Sequence, residues 1–158
     1  MKLETGPSQP GDGKEKLRLW LRFLKTSRMI EAQIRTNLKR EFNTTLPRFD
    51  VMVALSRHMD GLKMSQISDV LRVSNGNVTG IVDRLTSEGL VERTAVEGDR
   101  RALRVCLTER GLQEFERQAA AHKCWIDELL QDVSTDEAEH LEEHLLGFIQ
   151  GMEARQAR

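Results

Sequence analysis

A mainly helical α+β chain is expected from three features of this 158-residue sequence. Residues 64–88 read as two short helices joined by a tight turn. Residues 90–107 read as two strands around a polar tip. The flanks, residues 14–45 and 109–158, repeat apolar residues at helical spacing. A helix-turn-helix followed at once by a two-stranded hairpin is a winged helix-turn-helix, here joined to a helical module built from both ends of the chain.

Each element has its own signal. Residues 1–13 include Gly6-Pro7-Ser8-Gln9-Pro10-Gly11-Asp12-Gly13, which has no apolar period and is expected to be a flexible tail. A first helix runs from about Lys14 to Phe42, with Leu17, Trp20, Leu21, Leu24, Ile30, Ile34 and Leu38 as its buried positions. Thr45 is placed to cap the second, Pro47 suits its first turn, and Phe49, Met52, Val53 and Leu55 form its apolar side before a stop near Asp60-Gly61. The third helix is Met64–Leu71, Arg72-Val73 turns the chain, and Ser74 caps a fourth helix that runs to about Glu88.

In that fourth helix Val78, Ile81, Val82 and Leu85 fall at i, i+3, i+4, i+7, the spacing of one buried face. Gly89 follows as a left-handed cap. Leu90–Thr94 and Ala102–Leu107 are the strands, with Leu103, Val105 and Leu107 alternating against Arg104 and Cys106, and residues 96–101 form an exposed loop. In the fifth helix Leu112, Phe115, Ala119, His122, Ile126 and Leu129 recur at steps of three and four, a seam suited to another helix. The sixth opens on Ser134-Thr135-Asp136-Glu137, a capping box, and carries Ala138, Leu141, Leu145, Phe148 and Met152. A small winged domain does not need this much helix to fill its core. Residues 14–45 and 109–158 are therefore assigned to homodimerisation, and residues 46–108 to the winged helix-turn-helix.

Fourth-helix residues Asn75, Asn77, Thr79, Asp83 and Arg84 are left facing outward. Short amides and hydroxyls at the front of a helix match the major groove of double-stranded DNA, where each base pair presents its own donor and acceptor pattern. Net charge is −1, but it is unevenly spread: +5 over residues 1–62, +1 over residues 63–108 and −7 over residues 109–158. A basic side can meet phosphates while the acidic C-terminal third faces away. The small charge of the middle region predicts modest non-specific affinity, with more weight on base contacts and on doubling the site by dimerisation.

No apolar run approaches the ~20 residues that span a bilayer, and Met1-Lys2-Leu3-Glu4-Thr5 lacks the apolar stretch of a secretion signal. Cys106 and Cys124 are spaced neither as a metal knuckle nor as a disulfide framework. These features point to the cytoplasm. A Gly-rich phosphate loop, a nucleophile elbow and a His/Asp/Cys group at catalytic spacing are all missing, so neither an enzyme nor a cofactor is expected.

Leu46-Pro47-Arg48-Phe49-Asp50-Val51, Ser74-Asn75-Gly76-Asn77-Val78-Thr79, Asp83-Arg84-Leu85, Gly89-Leu90-Val91, and Asp99-Arg100-Arg101 followed by Val105-Cys106-Leu107-Thr108 together resemble the MarR family of bacterial transcriptional regulators. The resemblance covers nearly all of the chain after the tail. It implies a homodimer on a pseudo-palindromic operator, often repressing nearby genes until a small molecule releases it. It also implies that Arg101 enters the minor groove with Asp99 steering its guanidinium, and that Ser74, Asn75, Asn77 and Thr79 meet major-groove edges or nearby phosphates. A planar cation suits narrow A·T-rich minor grooves, where negative potential concentrates. Arg84 either reaches a phosphate or pairs with a neighbouring acid.

Within the family, Arg48-Phe49-Asp50-Val51 with Ser74–Gly80 is similar to regulators that respond to aromatic acyl-CoA thioesters. Such an effector needs an aromatic slot and cations for its phosphates. Trp20, Arg22 and Phe23 of the first helix, Arg48, Phe49 and Met52 of the second, and His122 are the candidates, against the plainer reading that the aromatic residues and Met52 are core or dimer seam. His140 and His144 sit at i, i+4 but among acids, which favours solvated surface over a metal site. Some relatives sense peroxide through a thiol near the start of the first helix, and no cysteine stands there in this chain. The competing function is a winged-helix module that docks another protein. Such modules often lack the polar helix front and the wing arginine.

Overall fold

The computed structural model describes residues 12–96 and 99–157. Of the tail expected over residues 1–13, residues 1–11 lie outside them while Asp12 and Gly13 are helical, and the side chains of Asp12, Asn75, Val96 and residues 99–102 also lie outside. Six helices and three strands follow in the order α1 (Asp12–Phe42), α2 (Leu46–Ser56), β1 (Leu62–Lys63), α3 (Met64–Leu71), α4 (Asn75–Ser87), β2 (Val91–Val96), β3 (Asp99–Leu107), α5 (Glu109–Leu129) and α6 (Thr135–Gln156). The strands form an antiparallel sheet in the order β1-β3-β2. The chain divides into two compact units, one through His122 and one from Lys123 onward.

The first unit is organised by one apolar cluster. Val51, Met52 and Leu55 of α2, Ile67 of α3, Val78, Val82 and Leu85 of α4, and Val91 and Val105 of the sheet are all buried in it. The i, i+3, i+4, i+7 spacing of α4 is the reason: it puts Val78, Val82 and Leu85 on one stripe at 0% exposure, with Ile81 packed at its edge. Each fully buried Val or Leu contributes about 1.5–3 kcal/mol. Three such residues suffice to hold a helix whose glycines, Gly76 and Gly80, disfavour it by about 1 kcal/mol each.

The ends of α4 are set differently. Ser74 takes the N-cap position with extended backbone, but its hydroxyl makes no capping bond; its carbonyl accepts from the Asn77 and Val78 amides at 3.1 and 3.3 Å. Thr45 likewise caps α2 by backbone position alone. At the C-terminus Gly89 adopts φ +72°, its amide donates to the Thr86 carbonyl (3.0 Å), and the Leu90 amide donates to Leu85 (2.9 Å). This is the Schellman pattern, and it delivers Leu90 into the core at the start of the hairpin.

Four expectations are corrected. The second helix ends at Ser56, because the chain turns through His58 to Gly61, where φ is +81°. A third strand, β1, pairs Leu62 with Val105 and Lys63 with Arg104; two residues are too few to show a period. The hairpin is longer than expected: β3 starts at Asp99, so Asp99-Arg100-Arg101 belongs to a strand rather than a loop, with an irregularity between Ala95 and Val96. Leu103 is 46% exposed, because that part of the hairpin extends past the core.

The fourth correction concerns the long helices. Ile34 and Leu38 of α1 are buried, but Leu17, Trp20 and Leu21 are more than half exposed. The α6 stripe of Leu141, Leu145, Phe148 and Met152 is exposed too, together with Leu146 and Ile149. The helical spacing was right, and the burial is not satisfied within a single chain. The capping box of α6 does form: the Glu137 amide donates to Ser134 Oγ (3.3 Å), and the Ser134 amide donates to the Glu137 carboxylate (2.9 Å).

Candidate nucleic-acid interface

With its inner stripe sealed, α4 presents Asn77, Thr79, Asp83 and Arg84 to solvent, and Ser74 stands exposed ahead of them. The structure thus brings Ser74, Asn77, Thr79 and Arg84 onto one helix. Asn75 belongs to the same helix and Asp99 and Arg101 to β3, but their side chains lie outside the described residues.

Spacing along the chain did not reveal what holds the helix and the hairpin together. Arg93 of β2 donates to Asp83 Oδ1 at 2.5 Å, tying the outer face of α4 to the wing. Thr108 Oγ1 donates to the Gly89 carbonyl (2.7 Å) and accepts from the Gly111 amide (3.0 Å), joining the end of α4 to the start of α5. Arg110 donates to the Glu88 carbonyl (3.0 Å), satisfying one of the helix-end acceptors of α4. A cation at a helix C-terminus also complements the helix dipole.

Arg48 faces this end of the helix as well. Its guanidinium makes a two-pronged pair with Glu88, one arm at 2.9 Å, so the cation is engaged within the chain. Together with Met52 it lines an open cavity of about 770 Å³, with Phe42 and Thr44 on one side and Arg110, Glu114, Arg117 and Gln118 on the other. Phe49 and His122 do not line it. Their rings meet at a tilt of 35° with centres 5.1 Å apart, and Phe49 stacks on Phe115 with centres 6.1 Å apart.

Trp20, Arg22 and Phe23 are exposed on α1 and are not gathered with Phe49 and Met52 within the chain. The reason is helix length: at 1.5 Å per residue Trp20 stands about 27 Å along α1 from Leu38, where that helix enters the core. His140 and His144 are exposed, and His144 Nδ1 donates to the His140 carbonyl at 2.8 Å. Cys106 is half-buried beside Thr94 Oγ1 (3.8 Å), and Cys124 is exposed.

Burial holds the His122 imidazole below its ordinary pKa of 6.5. The folded chain therefore favours the neutral ring, while the unfolded chain takes up the proton more readily. His122 leaves stability intact above the ordinary pKa, lowers it as pH falls through about 6.5, and stops lowering it below the folded pKa. In urea unfolding, the wild type is expected to lose more stability between about pH 7.5 and about pH 5 than His122→Gln does. Equal losses in the two proteins would remove His122 as the cause.

Comparison with known proteins agrees with this geometry. The family model described as "MarR family" matches residues 42–102. The chain is 30% identical over 112 residues to the HTH-type transcriptional regulator PecS of Dickeya dadantii, covering 70% of this chain and 67% of PecS. The chain belongs to the MarR family. The transcriptional activatory protein BadR of Rhodopseudomonas palustris is 28% identical over 156 residues, covering 96% of this MarR chain and 89% of BadR. The chain spans about half the length of two further curated relatives. Among solved structures, a MarR family transcriptional regulator from Silicibacter pomeroyi superposes with a TM-score of 0.76 at 31% identity, covering 91% of this chain and 99% of that one. MarR proteins are transcriptional regulators, and among the described residues no helix is long and apolar enough to cross a membrane.

Proposed function

We propose that this MarR-family chain is a homodimeric, ligand-responsive regulator that binds operator DNA and is released from it by a small aromatic effector. The observation that carries the DNA reading is α4: a stripe sealed at 0% exposure on one side, and short polar groups exposed to solvent on the other. Ser74, Asn75, Asn77 and Thr79 read the major groove, Arg84 meets phosphate, and Arg101 with Asp99 enters the minor groove. Residues 46–108 form the reading head. A regulator acting on operator DNA works in the cytoplasm, which is our reading for this chain.

The dimer reading rests on exposed apolar surface. Leu17, Trp20 and Leu21 on α1 and Leu141, Leu145, Phe148 and Met152 on α6 are 42–57% exposed in the single chain, an arrangement costly in water. A second copy covers them and makes residues 14–45 and 109–158 the dimerisation region. Two reading heads then engage successive major grooves of a pseudo-palindromic site when their recognition helices stand about 34 Å apart.

Release follows if the effector favours a dimer with another spacing; a coupling of ~1–3 kcal/mol is typical. The cavity beside Arg48 and Met52 supports an effector site, because it adjoins Glu88 at the C-terminal end of the reading helix. Arg48 and Arg117 are paired there with Glu88 and Glu114. Arg110 enters none of the described ion pairs and is the cation offered to an aromatic acid or its CoA thioester, with Trp20, Arg22 and Phe23 as further candidate contacts. The name of BadR describes an activator, so repression is our reading for this chain and not a family constant.

Fluorescence anisotropy on the chain's own upstream DNA, titrated with aromatic acids and their CoA thioesters, tests all of this. Release by an aromatic acid or its CoA thioester is the expected result, and release by thioesters and not by the free acids would narrow the effector to the activated acid. Binding indifferent to both would leave the DNA reading and discard the effector. Absence of specific binding would favour a protein-docking winged helix instead.

A further inference from the structure

A second hollow, of about 450 Å³, opens between the C-terminal end of α1, the start of α2 and the outer side of α4 from Gly76 to Arg84. Lys39, Arg48 and Arg84 line it together with Asn43, Thr45 and Asn77, and no acidic residue does. Arg48 is neutralised by Glu88. Lys39 is not neutralised there: its Nζ donates to the uncharged Asn43 Oδ1 at 2.6 Å. Arg84 enters none of the described ion pairs. Two cations on separate helices thus share a recess without a counter-charge, which is the electrostatic signature of an anion seat.

The floor of the recess has a property that the fold does not require. Gly76 and Gly80 lie one helical turn apart on α4, and a Cβ at either would meet nothing within 4 Å. Neither has the positive φ that would demand glycine. Alanine is the better helix former at both positions, so the bare helix surface serves something that approaches from outside the chain.

We propose that this recess seats a backbone phosphate of the DNA whose bases α4 reads, with Lys39 and Arg84 as its cations and Gly76 and Gly80 as the clearance for the sugar-phosphate chain. The proposal rests on the DNA-binding reading and extends it to α1, which that reading otherwise gives only to dimerisation. Phosphate contacts carry register and affinity without sequence information. Lys39 therefore adds equally to every sequence, while Asn77 beside it discriminates.

The test uses the full-length chain, a duplex that the wild type recovers from a random-sequence pool, and a scrambled duplex of the same length. Lys39→Gln is expected to weaken binding to both duplexes by a similar factor, about tenfold. It should also lower the slope of log affinity against log salt by about 1. Lys39→Arg should restore the slope. Gly80→Ala should weaken binding while the thermal midpoint stays or rises. A Lys39→Gln protein with the wild-type salt slope overturns the phosphate seat. Wild-type affinity in Gly80→Ala overturns the clearance role. Failure of the wild type to recover any duplex would instead sink the DNA-binding reading on which the proposal stands.

Discussion

Removing Asn77 and Arg101 together, as Asn77→Ala with Arg101→Ala, is expected to lower operator affinity by about 30-fold to 10⁴-fold. Each base-directed contact is worth ~1–3 kcal/mol. The two residues stand on different elements, α4 and β3, and are assigned to different grooves. Contacts that share no partner add nearly independently, so the pair is worth ~2–6 kcal/mol. A dimer carries each substitution twice, which moves the loss on a full operator toward the upper end. Stability should hardly move, because Asn77 is exposed and such substitutions fall within about 0.5 kcal/mol. The measurement is an anisotropy titration paired with a melting curve. Affinity within twofold of wild type, with the fold intact, would reject the assignment of these groups to DNA.

Gly111→Ala is expected to destabilise the first unit by about 3 kcal/mol or more, the upper range for an overpacked site. The position is buried in the first turn of α5. A Cβ there would overlap the Leu90 carbonyl oxygen and come within 2.8 Å of its carbon. Nothing flexible can move aside, because the clash is with main chain that is itself committed. The Leu90 carbonyl accepts from the Thr108 amide (3.1 Å), the Leu90 amide closes the end of α4, and its side chain is 7% exposed in the core. Shifting this backbone disturbs the end of the recognition helix, the root of β2 and the start of α5 at once. Against a typical total of 5–15 kcal/mol the loss is large. Urea unfolding of Gly111→Ala beside the wild type reads it directly. An unchanged midpoint would show that α5 can stand away from Leu90 at little cost.

Asp83 shows how a tertiary partner redefines a residue. On the helix it reads as an outward acid; in the structure it accepts from Arg93, ten residues away on another element. As an exposed pair it adds little to stability. Its consequence is the orientation of the wing against α4, on which the proposed reach into two grooves depends. The same holds for Arg48, which reads as a free cation for a ligand and is found paired with Glu88, forty residues on. Neither pairing could be read from spacing, because ion pairs between elements leave no period in the chain.

Local pattern was enough where the physics is local. The buried stripe of α4 follows from 3.6 residues per turn, the end of that helix from the φ of Gly89, and the start of α6 from a side-chain bond within one turn. The outward set of α4 was legible for the same reason: once the apolar stripe is known, the outer face is what remains. Long-range geometry decided the rest. The two-residue strand β1 exists only because β3 lies beside it, and the extent of the hairpin follows from the pairing of β2 with β3. The candidate effector residues were split between a tilted ring contact, a cavity wall and the distant end of α1, because a rigid helix separates Trp20 from the core whatever their shared chemistry suggests. Periodicity reports which side of a helix is apolar; only packing reports what covers it, and for the N-terminal part of α1 and for α6 nothing among the described residues does.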